Sequence, residues 1–381
     1  MSNALFLIIK PYLNIKYLYK RNIMRTFTII FLVILFSNIN GQGFWGKSFP
    51  EPKIEYAPRS YVCYKTPSPI IMDGKLNDSA WIASDWTDSF VDIEGSLKPK
   101  PFYDTKVKML WDENYFYFGA QMEEPHIWAT LKMRDTVIFK DNDFEIFLDP
   151  DGDTHNYYEL EVNALETEWD LLLLAPYHDQ SKVAVDSWDI PGLITKVNLD
   201  GTLNDPTDRD IGWSVEIAIP WIALEECAPN KIPVEGEQWK VNFSRVQWDV
   251  EIAEGKYIKT DNPEFNWVWS PQGIIYMHMP DLWGLVQFTE EAPGGQKIDF
   301  IENGIDKIKW ALRKIYYRQR NYYFDKNRYT ASLKELNLIK KPSDGIPWPP
   351  EINLTPSGWE AVLYWNNSSV IIRTDGKVWT K

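Results

Sequence analysis

The chain has 381 residues, 44% of them apolar, and a formal net charge of −14. That size and apolar content suffice for one large domain with an extension, or for two ordinary domains, and exclude a disordered chain. The acidic groups are spread along the chain and leave no basic footprint for a phosphate backbone, so nucleic acid is not an expected partner.

The first readable element is "RNIMRTFTIIFLVILFSNINGQ". A basic flank (Arg21, Arg25) precedes an apolar run from Phe27 to Phe36, too short to cross a bilayer and of the length of a signal-peptide core. Residues 1–41 are therefore expected to be an export signal. Translation would start near Met24 and cleavage would fall near Gly41 or Gln42, which makes the protein secreted or periplasmic. No later segment reads as a membrane span. Cys63 and Cys227 remain for an oxidising compartment, as one disulfide or as two free thiols.

Residues 42–60, rich in proline and polar residues, read as a lead-in segment. From residue 61 to about 290, short alternating runs are divided by turn residues. In "TKVKMLWDENYFYFGAQM" the residues Val107, Met109 and Trp111 share one face, and "DEN" turns the chain into a second run, a hairpin signature. Similar runs in "DFEIFLD", "YYELEVNA", "WDLLLLA", "GLITKVNL", "GWSVEIAIP", "EQWKVNFSRVQW" and "LWGLVQF", with no helices between them, predict a mainly β fold, an antiparallel β-sandwich. Residues 291–381 differ. Ile301, Ile305, Ile308, Leu312 and Ile315 recur at helical spacing, "TASLKELNL" suggests a shorter helix, and the tail reads as two or three strands turning at "NNSS" and "TDGK". This C-terminal α+β extension is expected to have its own small core.

Strand alternation sorts the acidic residues of the segment 141–174. Leu160, Val162 and Ala164 take one face and Glu159, Glu161 and Asn163 the other; Phe144, Ile146 and Leu148 oppose Asp143, Glu145 and Phe147. Neighbouring strands would present a stripe of carboxylates, which a solvated outer face explains equally well. The connecting loop spaces Asp149, Asp151 and Asp153 at alternate positions, a pattern that aims oxygens at Ca2+; a tight solvated turn is the alternative reading. A second acidic loop, 200–210, has the same two readings. Paired Glu145 and Glu161 also raise glycoside hydrolysis. Nucleophile elbows, zinc-protease helices and Walker loops are absent, and the four histidines are scattered.

The ordered series "IIMDGKLNDSAW", "VKMLWDENYFYFGAQMEEP", "DNDFEIFLDPDGD", "GWSVEIAIPW" and "WKVNFSRVQW" resembles carbohydrate-binding module family 9 and its relatives in the DOMON-like β-sandwich group. The resemblance implies a sugar end clamped between two aromatic faces, with structural Ca2+ held elsewhere. By position it implies Phe139 as the first platform, Glu145 as the acidic sugar contact, and Trp269, or its neighbour Trp267, as the second platform. Glu161 stands where the family has an arginine, and Asn163 lies on the same face. Arg245 or Arg134 is the expected substitute donor. The implied protein is an exported, non-catalytic carbohydrate-binding sandwich that works with separate glycan-degrading enzymes on polysaccharide and needs no cofactor beyond structural Ca2+. A glycoside hydrolase or lyase using the paired glutamates, and an interaction module without sugar binding, are the alternatives.

Overall fold

A computed structural model describes residues 49–179 and 182–381. The expected export signal lies outside the described residues. The strands of the first part are β1 (Ser60–Lys65), β2 (Val91–Asp92), β3 (Thr105–Trp111), β4 (Tyr115–Glu123), β5 (Asp143–Asp149), β6 (Tyr157–Asn163), β7 (Glu168–Leu173), β8 (Ala184–Val185), β9 (Ile194–Asp200), β10 (Gly212–Pro220) and β11 (Gln238–Gln247). They continue with β12 (Val250–Ala253), β13 (Lys256–Lys259), β14 (Phe265–Val268) and β15 (Gly284–Thr289), and a short helix α1 (Ser79–Ala83) lies after β1.

Hydrogen bonds join these strands in the order β8-β7-β6-β5-β11-β15-β1-β3-β4-β10-β9, with β14 and β2 branching from β11 and β12–β13 forming a separate hairpin. The path folds into two layers whose inner faces share one core. Phe144, Ile146, Leu148, Leu160 and Val162 from one layer meet Val107, Met109, Trp111, Phe116, Phe118, Val215 and Ile217 from the other. The sandwich is not wholly antiparallel, because β1 pairs in parallel with both β15 and β3. The first strand of the sandwich thus lies between β3 and β15, the sandwich's last strand.

Local chemistry accounts for the hairpin at "DEN". The Asp112 carboxylate accepts from the backbone N–H of Asn114 (2.7 Å) and Tyr115 (2.8 Å), and this side-chain turn fixes the register of β3 against β4. Much of the tryptophan supply fills the core, with Trp81, Trp111, Trp239, Trp267, Trp269 and Trp283 fully buried. Cys63 and Cys227 are both free thiols.

The C-terminal part holds helix α2 (Gly304–Lys326) and the sheet β16 (Glu351–Thr355), β17 (Gly358–Trp365), β18 (Ser368–Arg373) and β19 (Val378–Thr380). Asn303 caps α2 by accepting from the N–H groups of Ile305 and Asp306, and Asn327 ends it in the left-handed region. Ile308, Leu312 and Ile315 are buried, as their spacing implies. The shorter helix expected at 330–338 is instead a run of turns. Its segment is below the length at which propagation repays helix nucleation.

The extension is not self-contained, for residues 50–381 form one compact unit. Arg313 of α2 is fully buried and donates to the carbonyl of Gly376 (2.8 Å), with Asp281 (3.5 Å) and Asp179 (3.9 Å) of the sandwich beside it. Gly376 sits at φ +90°, and an added Cβ would lie 2.5 Å from the Arg313 guanidinium, so glycine is required there. No helix among the described residues is long and apolar enough to cross a membrane.

Candidate functional site

The register of β11, β5, β6 and β7 sets the acidic residues in rows on the face turned away from the common core. Ser244, Glu145, Glu161 and Trp169 stand side by side across the four strands. Asn242, Phe147, Glu159 and Leu171 form the next row. Asp143 lies two pairs beyond Glu145, on the same face, opposite Asn163.

This face is not solvated. Exposure is 0% for Asp143, 5% for Glu145, 5% for Glu159 and 2% for Glu161. Phe147, Tyr157, Leu171, Leu173 and Trp283 pack into a second apolar cluster on the same side, with Trp169 and Met277 at its margin. The burial of so many carboxylates decides their protonation. Burial pushes Glu145 up to about 7. Burial and then the neighbouring Glu145 push Asp143, Glu159 and Glu161 well above the usual carboxylate range.

Phe139 is brought to this face. It lies in a single turn, Ile138–Lys140, is 37% exposed, and its backbone N–H donates to Glu161 Oε2 (2.9 Å). Trp248, a residue that sequence reasoning missed, adjoins it. The Trp248 indole N–H donates to the Phe139 carbonyl (2.9 Å), and the Lys259 ammonium lies 3.7 Å from the ring centroid. Alternation carried past the end of β11 places Trp248 on the side of Asn242 and Ser244, which was the available signal. The same reasoning finds Trp169, two residues before Leu171.

The expected second platform is not on this face. Trp269 is 1% exposed and Trp267 2% exposed, both within the core. The Trp269 ring lies against Gly284, where an added Cβ would come within 2.3 Å of it. Trp267 is held edge-on by Phe102 and lies under the Arg245 guanidinium, 5.3 Å from its ring. A stacking platform needs an open ring face, and neither indole has one.

The expected donors are committed elsewhere. Arg245 is buried and bonds Glu124, Gln247 and Thr105, on the opposite side of β11 from Ser244. Arg134 is ion-paired with Glu168, Asp170 and Asp189. Asn163 donates to the Leu131 carbonyl and to Asp141 and accepts from Leu165 and Thr167, which holds the loop after β6. None supplies a hydrogen bond to Glu145 or Glu161.

Among the described residues three acidic groups bring their oxygens together, and one of them, Asp135, Asp170 and Asp189, is already paired with Arg134. Asp149, Asp151 and Asp153 each offer an oxygen within 4.8 Å of the others, as do Asp143, Glu145 and Glu161. At the Asp149 group burial, then Asp153, pushes Asp151 up to about 6, while Lys377 pairs with Asp153 and Lys309 donates to the carbonyls of Asp151 (3.2 Å) and Gly152 (2.7 Å). The second acidic loop spends its carboxylates on turns. Asp210 accepts from the N–H groups of Ile127 and Thr202, and Asp205 from that of Thr207.

Residues 71–267 match the family model described as carbohydrate family 9 binding domain-like. Among solved structures, the chain is similar to a carbohydrate binding module family 9 domain from Caldicellulosiruptor kristjanssonii in complex with cellotriose, at 16% identity and a TM-score of 0.38, over 64% of this chain and 100% of that one. The same kind of module from that organism in complex with glucose matches at 17% identity and a TM-score of 0.38, over 63% of this chain and all (100%) of that one. A protein from Bacteroides uniformis proposed to bind carbohydrate matches at 16% identity and a TM-score of 0.44, over 61% and 100% respectively. None of the curated proteins matches the chain. With residues 71–267, more than half its length, matched by that model, the chain belongs to the carbohydrate family 9 binding domain-like family.

Proposed function

We propose that this is an exported, non-catalytic carbohydrate-binding protein that acts in polysaccharide breakdown beside separate glycan-degrading enzymes. Membership of the family across 71–267 is the observation that carries this reading. The site proposed is the margin of the acidic face, where Phe139 and Trp248 adjoin Glu161 and Glu145. Aromatic rings stack on the C–H face of a sugar, and carboxylates accept hydroxyl hydrogen bonds. Trp248 takes the role that the resemblance implied for Trp269.

Structural Ca2+ at Asp149, Asp151 and Asp153 belongs to the same proposal. Lys309 and Lys377 already bring positive charge to that turn, so an ion there competes with the Lys377 pairing. Thermal melting of Asp153→Asn with and without Ca2+ tests that part.

The test of the whole is a glycan array followed by calorimetry on the full-length chain, alongside Trp248→Ala and Phe139→Ala. Saturable binding weakened in both variants supports the reading. A flat response from folded wild type overturns it in favour of an interaction module, and release of reducing ends would make the protein an enzyme.

A further inference from the structure

We propose that Asp143, Glu145, Glu159 and Glu161 form a binding site for a hard divalent cation, with Ca2+ as the best fit, on the outer face of β5 and β6. The site is distinct from the Asp149 turn at the far end of β5 and shares Glu145 and Glu161 with the proposed sugar margin.

The geometry begins with the register. Glu145 and Glu161 are directly paired, Asp143 is two residues before Glu145, and Glu159 is two residues before Glu161. All four therefore project from one side of two adjacent strands. Oxygens of Asp143, Glu145 and Glu161 converge within 4.8 Å of one another. Backbone groups orient two of them, since Val246 N–H donates to Asp143 Oδ1 (3.2 Å) and Phe139 N–H donates to Glu161 Oε2 (2.9 Å).

The remaining oxygens point to a ligand. Asp143 has no exposed surface, yet its Oδ2 meets no hydrogen-bond donor, and Glu159 at 5% exposure leaves Oε2 equally unmet. Buried carboxylates are ordinarily paired with a cation or coordinate a metal. Elsewhere among the described residues a cation of the chain itself stands beside an acidic cluster: Lys377 pairs with Asp153, and Arg134 with Asp170 and Asp189. At this face the adjacent Arg245 is turned away to Glu124. Four carboxylates supply enough oxygens for the six to eight that Ca2+ takes, and the donor set contains no nitrogen or sulfur that would favour a softer metal.

The experiment is titration of the full-length chain with Tb3+, read by tryptophan-sensitised emission, with Ca2+ added in competition and no glycan present. Trp169, paired with Glu161, is the donor on the spot. Wild type is expected to give emission that excess Ca2+ abolishes, and to melt at a higher temperature in Ca2+ than in chelator. Glu145→Gln/Glu161→Gln should lose at least tenfold in affinity, and Asp143→Asn alone should show the same loss of direction and scale. Asp153→Asn should leave this site intact. Unchanged affinity in either face variant, or a wild type with neither emission nor a Ca2+-dependent melting shift, overturns the proposal. Because no glycan is used, a failure of sugar binding leaves these results standing.

Discussion

Glu145 and Glu161 stand directly opposite one another on neighbouring antiparallel strands, and both are buried. Ionising both in that arrangement opposes folding, by about 0.2–1 kcal/mol even at ordinary sheet positions, and together with burial this keeps the proton on Glu161. Above pH 7, where Glu145 is ionised, Glu161→Gln should therefore raise stability slightly in chelator, by up to about 1 kcal/mol. Differential scanning calorimetry in chelator checks this; a clear loss of stability would mean that Glu161 carries a structural bond beyond the one it accepts from Phe139.

The two classes of tryptophan separate under mutation. Trp269→Ala removes a fully buried ring from the core and should cost about 3–5 kcal/mol. Trp248→Ala removes a partly exposed ring and should cost much less, while weakening glycan binding by about tenfold or 1.4 kcal/mol. Denaturant melts and calorimetry of both variants make the comparison.

Acid sensitivity is built into the junction of α2 with the sandwich. Burial pushes Asp179 up, but His178, Arg313 and Arg320 outweigh it and hold the carboxyl well below its usual range. A carboxyl depressed in the folded state stabilises above its unfolded value of about 3.9, and that stability is lost as pH falls below it. Asp179→Asn should cost about 3–5 kcal/mol at neutral pH, because Arg313 is left buried with a weakened partner set. Urea melts from pH 7 to 3 should show the variant losing less on acidification than wild type.

His278 adds a second limb at higher pH. Burial, and then His178, pushes His278 down to about 3, and its Nδ1 lies 2.9 Å from the Tyr157 hydroxyl. The unfolded imidazole, near 6.5, binds a proton that the folded one refuses, so stability should fall as pH drops from about 6.5 toward 3. His278→Gln should flatten that limb by up to about 1.4 kcal/mol per pH unit, as read by urea melts at closely spaced pH.

Much of the sandwich was legible in the sequence because alternation is a backbone property. Val107, Met109 and Trp111 point to the common core, as do Leu160 and Val162, because a strand sends successive side chains to opposite faces. What alternation does not report is what covers the outer face. Glu145 and Glu161 read as a possible solvated stripe, yet they are buried where Phe147, Tyr157 and Trp283 draw other chain segments over the sheet. The same limit hid the roles of the aromatic residues. Trp267 and Trp269 matched a clamp by position along the chain, whereas Gly284 and Phe102, distant in sequence, decide that they are core. Arg134 and Arg245 likewise have partners far along the chain, which spacing alone does not reveal.

The account stands most directly on where a glycan binds. The measurement is calorimetric titration of the full-length chain with the best ligand from a glycan panel, comparing Trp248→Ala with Gln121→Ala, an exposed residue on β4 in the other layer. Saturable wild-type binding that falls about tenfold in Trp248→Ala and is unchanged in Gln121→Ala is the expected result. Binding that survives Trp248→Ala and is lost in Gln121→Ala would contradict the account by moving the site to the opposite face.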